Sequence, residues 1–138
     1  MVITREIKFF TKGHTDIINI TDLFSETLHE SRLQSGIACL YVPGTTATLT
    51  TIGYESGTID DLKEFWERIV SMRGEYAHNA QWGDGNGYAH VRAALCGPSL
   101  VVPFNDGKPL LGTWQDIVCI DFDNRAHSRT VFVQLVGE

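Results

Sequence analysis

Long apolar runs are missing from this chain: nowhere does it approach the roughly 18 consecutive apolar residues that a helix needs to cross a bilayer. The sequence therefore predicts no membrane partner. Cysteine is scarce, with only Cys39, Cys96 and Cys119, each inside an apolar stretch and far from the others. An odd, scattered set excludes a disulfide framework or a zinc knuckle and predicts reduced, largely buried thiols. Positive charge is also short, 11 Lys and Arg against 17 Asp and Glu for a net charge of −6, and the basic residues stand singly. That argues against a nucleic-acid partner, which needs a clustered positive surface. A small anion asks for much less, since one or two arginines and a few backbone N–H groups hold a phosphate. The amino terminus has neither the apolar core nor the small-residue cleavage site of a signal peptide, so a cytoplasmic location is expected. Repeats, linkers and low-complexity tracts are absent too, and 138 residues suit one domain spanning 1–138.

What is present reads mostly as strand. Ile3 to Phe10 and Asp16 to Ile20 form the opening strands around the Lys12-Gly13 turn. Thr21 then caps a helix with an apolar stripe of Leu23, Phe24, Leu28 and Leu33, ended by Gly36. Two β-branched runs, Ile37 to Val42 and Thr48 to Tyr54, flank Pro43-Gly44 and read as strands with a tight connection. Thr58 and Asp61 resemble a capping box opening a second helix, in which Ile59, Leu62, Phe65, Trp66, Ile69 and Val70 keep helical period. A third helix is expected from Asn86 to Cys96, stopped by Gly97-Pro98. From Ser99 onward, four strand-like runs predict a C-terminal antiparallel meander. The fold class is α+β rather than a βαβ nucleotide fold; GDGNG neither follows a strand with fingerprint spacing nor has an acidic residue at the required distance.

Chemistry concentrates between Tyr76 and Arg92, YAHNAQWGDGNGYAHVR. Gly83, Gly85 and Gly87 allow close backbone approach, while His78, Asp84, Asn86 and His90 carry groups that bind protons, metals or oxyanions. Asn86 and His90 fall on one helix face. Two histidines and a carboxylate, Glu55 or Asp84, suit a divalent metal with an open position. Equally, the two rings beside Arg92 and the N–H groups opening the helix would bind phosphate without metal. Thr45 and Thr46 form either an oxygen-binding lip or an ordinary hairpin turn. Trp114 is expected in the core with Gln115 facing solvent, and Arg125 and Arg129 are expected to pair with Asp121 or Asp123 at the surface.

Several segments together match a known pattern: SGI at 35–37, VPGTTA at 42–47, YESGTIDDL at 54–62, YAHNAQWGDGNGYAH at 76–90, LCGPSLVVPFNDGKPLLGTWQ at 95–115 and DNRAHSRTVFVQLVG at 123–137. In their joint order and spacing the chain resembles the YjbQ-like family, also labelled the secondary thiamine-phosphate synthase enzyme family. The resemblance implies a mixed β-sandwich or pseudo-barrel with two to three helices, assembled as a homotrimer with a polar site near the subunit contact. It implies a histidine-rich pocket able to hold an anion or a divalent metal, zinc or magnesium. The motif matches carry over to His78 and His90, with Asn86, Trp114 and Gln115 as neighbours; with Arg92 added for its charge, His78, His90 and Arg92 are the catalytic candidates, and Thr45, Thr46, Asn86, Trp114 and Gln115 the ligand-binding ones. Glu55 joins His78 and His90 as a candidate metal ligand. Many members have a histidine before the threonine pair where this chain has Gly44.

The activity implied joins a hydroxymethylpyrimidine diphosphate to a thiazole phosphate with release of pyrophosphate. Such a transferase needs the leaving charge neutralised and the thiazole nitrogen held in line. The alternative on the same residues is a non-catalytic trimeric protein that binds a metal or a small phosphorylated anion.

Overall fold

Eight strands form two antiparallel sheets and four helices pack around them, the first among the core residues shared by the two sheets and the second and fourth on the other face of the smaller sheet, in a computed structural model that describes residues 1–138. The strands are β1 (Val2–Thr11), β2 (Asp16–Asn19), β3 (Gly36–Tyr41), β4 (Ala47–Ile52), β5 (Ser99–Asn105), β6 (Lys108–Pro109), β7 (Asp116–Asp121) and β8 (His127–Gly137). The helices are α1 (Thr21–Ser31), α2 (Ser56–Ile69), α3 (Ala77–Trp82) and α4 (Gly87–Cys96). The larger sheet runs β1-β8-β3-β5-β6 and the smaller β2-β7-β4. The α+β class is as expected; there is one helix more than the two to three expected, because residues 77–82 make a short turn of helix inside the glycine-rich stretch.

Two expectations about connection are corrected. Residues 37–54 do not form a hairpin: β3 belongs to the large sheet and β4 to the small one, so segment 42–46 carries the chain between sheets. The C-terminal strands are not a meander. β7 is the centre of the small sheet, while β8 lies between β1 and β3, paired Val2 with Val136 and Ile37 with Val136. Local turn chemistry gave one true hairpin only, β5–β6, where Asp106 and Gly107 both take positive φ as a two-residue turn requires.

Helix boundaries differ as well. Asn19 Oδ1 accepts from both the N–H and the hydroxyl of Thr21, so Asn19 rather than Thr21 ties the start of α1. Arg32, at φ 63°, ends that helix, and Gly36 instead opens β3, where a Cβ would collide with the Val136 carbonyl. Glu55, not Thr58, caps α2: its carboxylate accepts from the N–H groups of Gly57 and Thr58 at 2.9 and 2.6 Å and from the Thr58 hydroxyl.

The two faces of the small sheet bury different partners. One face meets the large sheet and α1 through Leu49, Ile117 and Cys119 against Leu40, Val133, Phe24 and Leu28. The other meets α2 and α4 through Val118, Ile120 and Phe122 against Trp66, Tyr88 and Ala89. Burying these side chains, each contributing roughly 1.5–3 kcal/mol, fixes the helices on the sheet. The helices that carry His78 and His90, α3 and α4, therefore hang at the end of the small sheet where segments 43–46 and 122–127 also emerge. No helix is long and apolar enough to cross a membrane.

Candidate functional site

Glycine makes the local geometry. Gly83 and Gly85 take φ near +70°, and a Cβ at Gly87 would lie 2.5 Å from that of Tyr76, so α4 starts hard against the residue that opens α3. Asn79 Oδ1 then accepts the Gly87 N–H at 2.8 Å and locks the two helices together. The turn brings His78 and His90 face to face, ring centres 4.2 Å apart and tilted by 40°. His78 Nε2 lies 3.0 Å from Asp84, the carboxylate in the same turn. Burial, and after it the neighbouring His78, pushes the His90 ring below its ordinary proton affinity. Burial pushes the Asp84 carboxyl up, but its hydrogen bond to His78 and the charge there outweigh this and hold it low.

His90 lines a cavity of about 310 Å³ together with Gly44, Thr45, Ala47, Ala94 and Gly97. That volume is at the small end for a ligand site. A larger hollow of about 760 Å³ lies between the end of α1 and the β5–β6 turn, edged by His29, Arg32 and Lys108 among mostly exposed polar side chains. None of its titratable groups forms an ion pair across it, and neither α3 nor α4 lines it.

Behind the histidines is a buried polar network that the sequence did not announce. Asp123, 3% exposed, accepts from Asn86 Nδ2 at 3.0 Å, from the Asn124 N–H at 2.8 Å and from the Thr46 hydroxyl at 3.4 Å, and pairs with His127 Nε2 at 2.6 Å. Burial alone raises its pKa, but the hydrogen bonds from Asn86, His127 and Asn124 reverse that and bring it down to about 2. Asp121, fully buried, takes two hydrogen bonds from Arg129, at 2.7 and 2.9 Å, and one from Thr11 at 2.6 Å. Arg129 also donates to Thr46 at 2.8 Å. One hub thus joins segment 44–46, the start of α4 and the β7–β8 turn. The only sequence signal was the acidic and basic spacing of Asp121, Asp123, Arg125 and Arg129, which pointed to pairing but gave neither the partners nor the burial: Arg129 pairs with Asp121 and is 9% exposed, whereas a surface pair was expected.

Among the predicted residues, the structure brings together His78, His90, Thr45 and Asn86. It corrects the others. Arg92 is 2% exposed and turned away: Nε and Nη2 donate to the Val70 carbonyl at 3.0 and 2.8 Å, and Nη1 to Thr15 at 3.0 Å, with Glu67 alongside. It is a bolt between α4 and the end of α2, not a catalytic group of the site. Thr46 is 6% exposed with its hydroxyl engaged by Arg129 and Asp123, so it braces the lip while Thr45 faces the cavity. Gln115 is spent on Thr51 and on the Gly112 N–H. Trp114 is not core but 84% exposed, because residues 110–115 form no strand to bury it. Both line a separate hollow with Thr51 and Gly53, which within one chain contains neither histidine.

The expected metal set does not assemble from one chain. Glu55 is committed to capping α2, His78 and Asp84 are bonded to each other, and no three His, Cys, Asp or Glu side chains converge as ligands. The missing histidine at position 44 is also built into the backbone: Gly44 has φ of 110°, a conformation L side chains rarely adopt, and a Cβ there would sit 3.3 Å from Arg129 Nη1.

A two-sheet α+β domain with a paired-histidine pocket at one sheet end is the class that fold and site define. Within that class the chain belongs to the family described as UPF0047 protein YjbQ-like, whose model matches residues 5–138. It is 37% identical to a UPF0047 protein of Archaeoglobus fulgidus over 126 residues, covering 91% of this chain and 96% of that one. A crystal structure of a YjbQ/UPF0047-family protein from Clostridium acetobutylicum superposes with a TM-score of 0.87 at 31% identity, covering 96% of this chain and 99% of that one. A YbjQ-like protein from Sulfolobus solfataricus has the same fold over 100% of both chains, with a TM-score of 0.90 at 24% identity.

Proposed function

We propose that this protein is an enzyme acting on small phosphorylated metabolites, with chemistry of the secondary thiamine-phosphate synthase type. The observation that carries the reading is the His78–His90 pair, one ring held by Asp84 and the other on the wall of the 310 Å³ cavity. In that reaction the thiazole nitrogen attacks the methylene carbon of the pyrimidine, and the carbon–oxygen bond to the diphosphate breaks with its electron pair leaving on pyrophosphate. Bond formation consumes no proton. The imidazoles serve the leaving group, His78 as proton donor positioned by Asp84 and His90 as a hydrogen-bonding partner for a phosphate oxygen.

One chain's cavity holds one small ligand, and two phosphorylated substrates need more room. A homotrimer with the site near its contact fits that shortfall. The surfaces left bare by one chain support it: Trp114 at 84%, and the outer face of the large sheet with Ile37 at 48% and Val101 at 60% exposed. A cytoplasmic setting fits the three free thiols.

Binding without catalysis is the second reading. Arg92 and Arg129 are each neutralised by a carboxylate, which leaves imidazoles rather than guanidinium groups to face a ligand. Turnover of the two phosphorylated substrates by purified protein separates the readings. Wild type is expected to release pyrophosphate and His90→Ala to lose at least about a hundredfold in rate, the scale of a general acid–base group. Equal rates in both proteins would remove His90 from the chemistry, and saturable binding with no product would favour the binding protein.

A further inference from the structure

The cavity beside His90 is poor in the charge that the phosphate groups of a ligand call for. Gly44, Ala47, Ala93, Ala94, Gly97 and Pro98 make up most of its wall, and Thr45 and His90 bring the only polar side chains. His90, Ala93 and Ala94 share one face of α4, continued by Gly97 just past its end, and Ala and Gly keep that face free of long side chains. Glycine also keeps room: a Cβ at Gly97 would meet no atom within 4 Å, and one at Gly44 only Arg129 Nη1 at 3.3 Å, whose charge Asp121 matches. No Lys, Arg, Asp or Glu lines the cavity, and burial holds the His90 ring below its ordinary proton affinity. A phosphate moved into such a recess would lose hydration with no counter-charge to replace it, whereas a flat, uncharged ring gains from the same walls.

We infer that the cavity seats the uncharged heteroaromatic ring of the substrate, that Ala94 limits the size of ring admitted, and that the phosphate lies outside at the His78–His90 pair. The inference rests on the phosphorylated-metabolite reading and adds to it an orientation for the ligand. His90 belongs to both halves of the site. It stands on the cavity wall with its ring 4.2 Å from that of His78, so a ligand ring in the cavity carries its phosphate arm past this imidazole to the one held by Asp84. Thr45, whose hydroxyl both donates and accepts, is the other side chain able to meet a ring nitrogen or amino group. A volume of about 310 Å³ suits one such ring with its small substituents. Ala94 is the exposed alanine of the wall, so a larger side chain there does not overpack the core, as it would at Ala93, 6% exposed.

Carbon-13 spectra of the alanine methyls in the intact protein test this, with three probes added separately: the phosphate-free pyrimidine alcohol, the phosphate-free thiazole alcohol and inorganic pyrophosphate. At least one of the two ring alcohols should shift the methyls of Ala47, Ala93 and Ala94 saturably through its ring current, and the one that does so identifies the ring seated. Pyrophosphate should move the His78 and His90 ring signals and leave those methyls nearly in place. Ala94→Leu should weaken ring binding at least about tenfold, with pyrophosphate affinity within about twofold of wild type and an unchanged melting temperature. Pyrophosphate binding with both ring alcohols silent at the three methyls, or an equal loss of ring and pyrophosphate affinity in Ala94→Leu, would overturn this inference alone. Wild-type ring affinity in Ala94→Leu would overturn the part given to Ala94. Silence of all three probes would overturn the phosphorylated-metabolite reading as well. Ring binding without pyrophosphate binding would keep the ring seat and overturn the phosphate position together with that reading.

Discussion

The His78–His90 corner and the Asp121–Arg129 corner are both polar clusters, yet they stand in opposite relation to water. The first is partly exposed, loosely bonded and free to meet a ligand. In the second, a fully buried carboxylate accepts from Arg129 and Thr11, and Arg129 is shared with Thr46. The difference shows how this small domain separates work: the saturated network fixes the segments from which the unsaturated histidines project. Charge placed in the network is structural because every lone pair has a donor, and charge placed at the rim is available because few do.

The comparison predicts stability effects that fall as one moves from network to rim. Removing the guanidinium in Arg129→Met leaves Asp121 buried without its counter-charge. That should cost about 3–5 kcal/mol in urea unfolding. A loss below about 1 kcal/mol would mean that water reaches Asp121 and that the network is not the scaffold.

Acid provides the next test. The Asp123 carboxyl is at about 2 in the folded chain and near 3.9 when unfolded, so the unfolded state takes up the proton first as pH falls. Its contribution is complete above about pH 5 and fades as pH drops through 4 toward 2, a loss on the order of 2 kcal/mol. In Asp123→Asn the pH dependence of unfolding over that window should flatten by this amount. An unchanged slope would assign acid sensitivity to other carboxylates.

Much of this was legible in the sequence, for physical reasons. Strand-like runs rich in β-branched and aromatic residues placed β1, β7 and β8 within a residue or two, and Gly97 stopped α4 as expected. Pairing of strands was not legible, since β3 and β4 are split by an inter-sheet crossing that looks in sequence like a hairpin turn. The dense segment 76–92 gave His78, Asp84, Asn86 and His90 because these functional groups lie close together along the chain. Asp123 was missed as a hub because its partners Asn86 and Thr46 come from distant segments, and Arg92 was misassigned because nothing local says which way a helical arginine points.

At the rim, stability and function should part company, and one measurement tests that directly: pyrophosphate binding by calorimetry to wild type and to His90→Ala, with unfolding followed on the same samples. The account predicts that His90→Ala changes stability by less than about 0.5 kcal/mol and weakens binding at least about tenfold. Wild-type affinity in His90→Ala would contradict it.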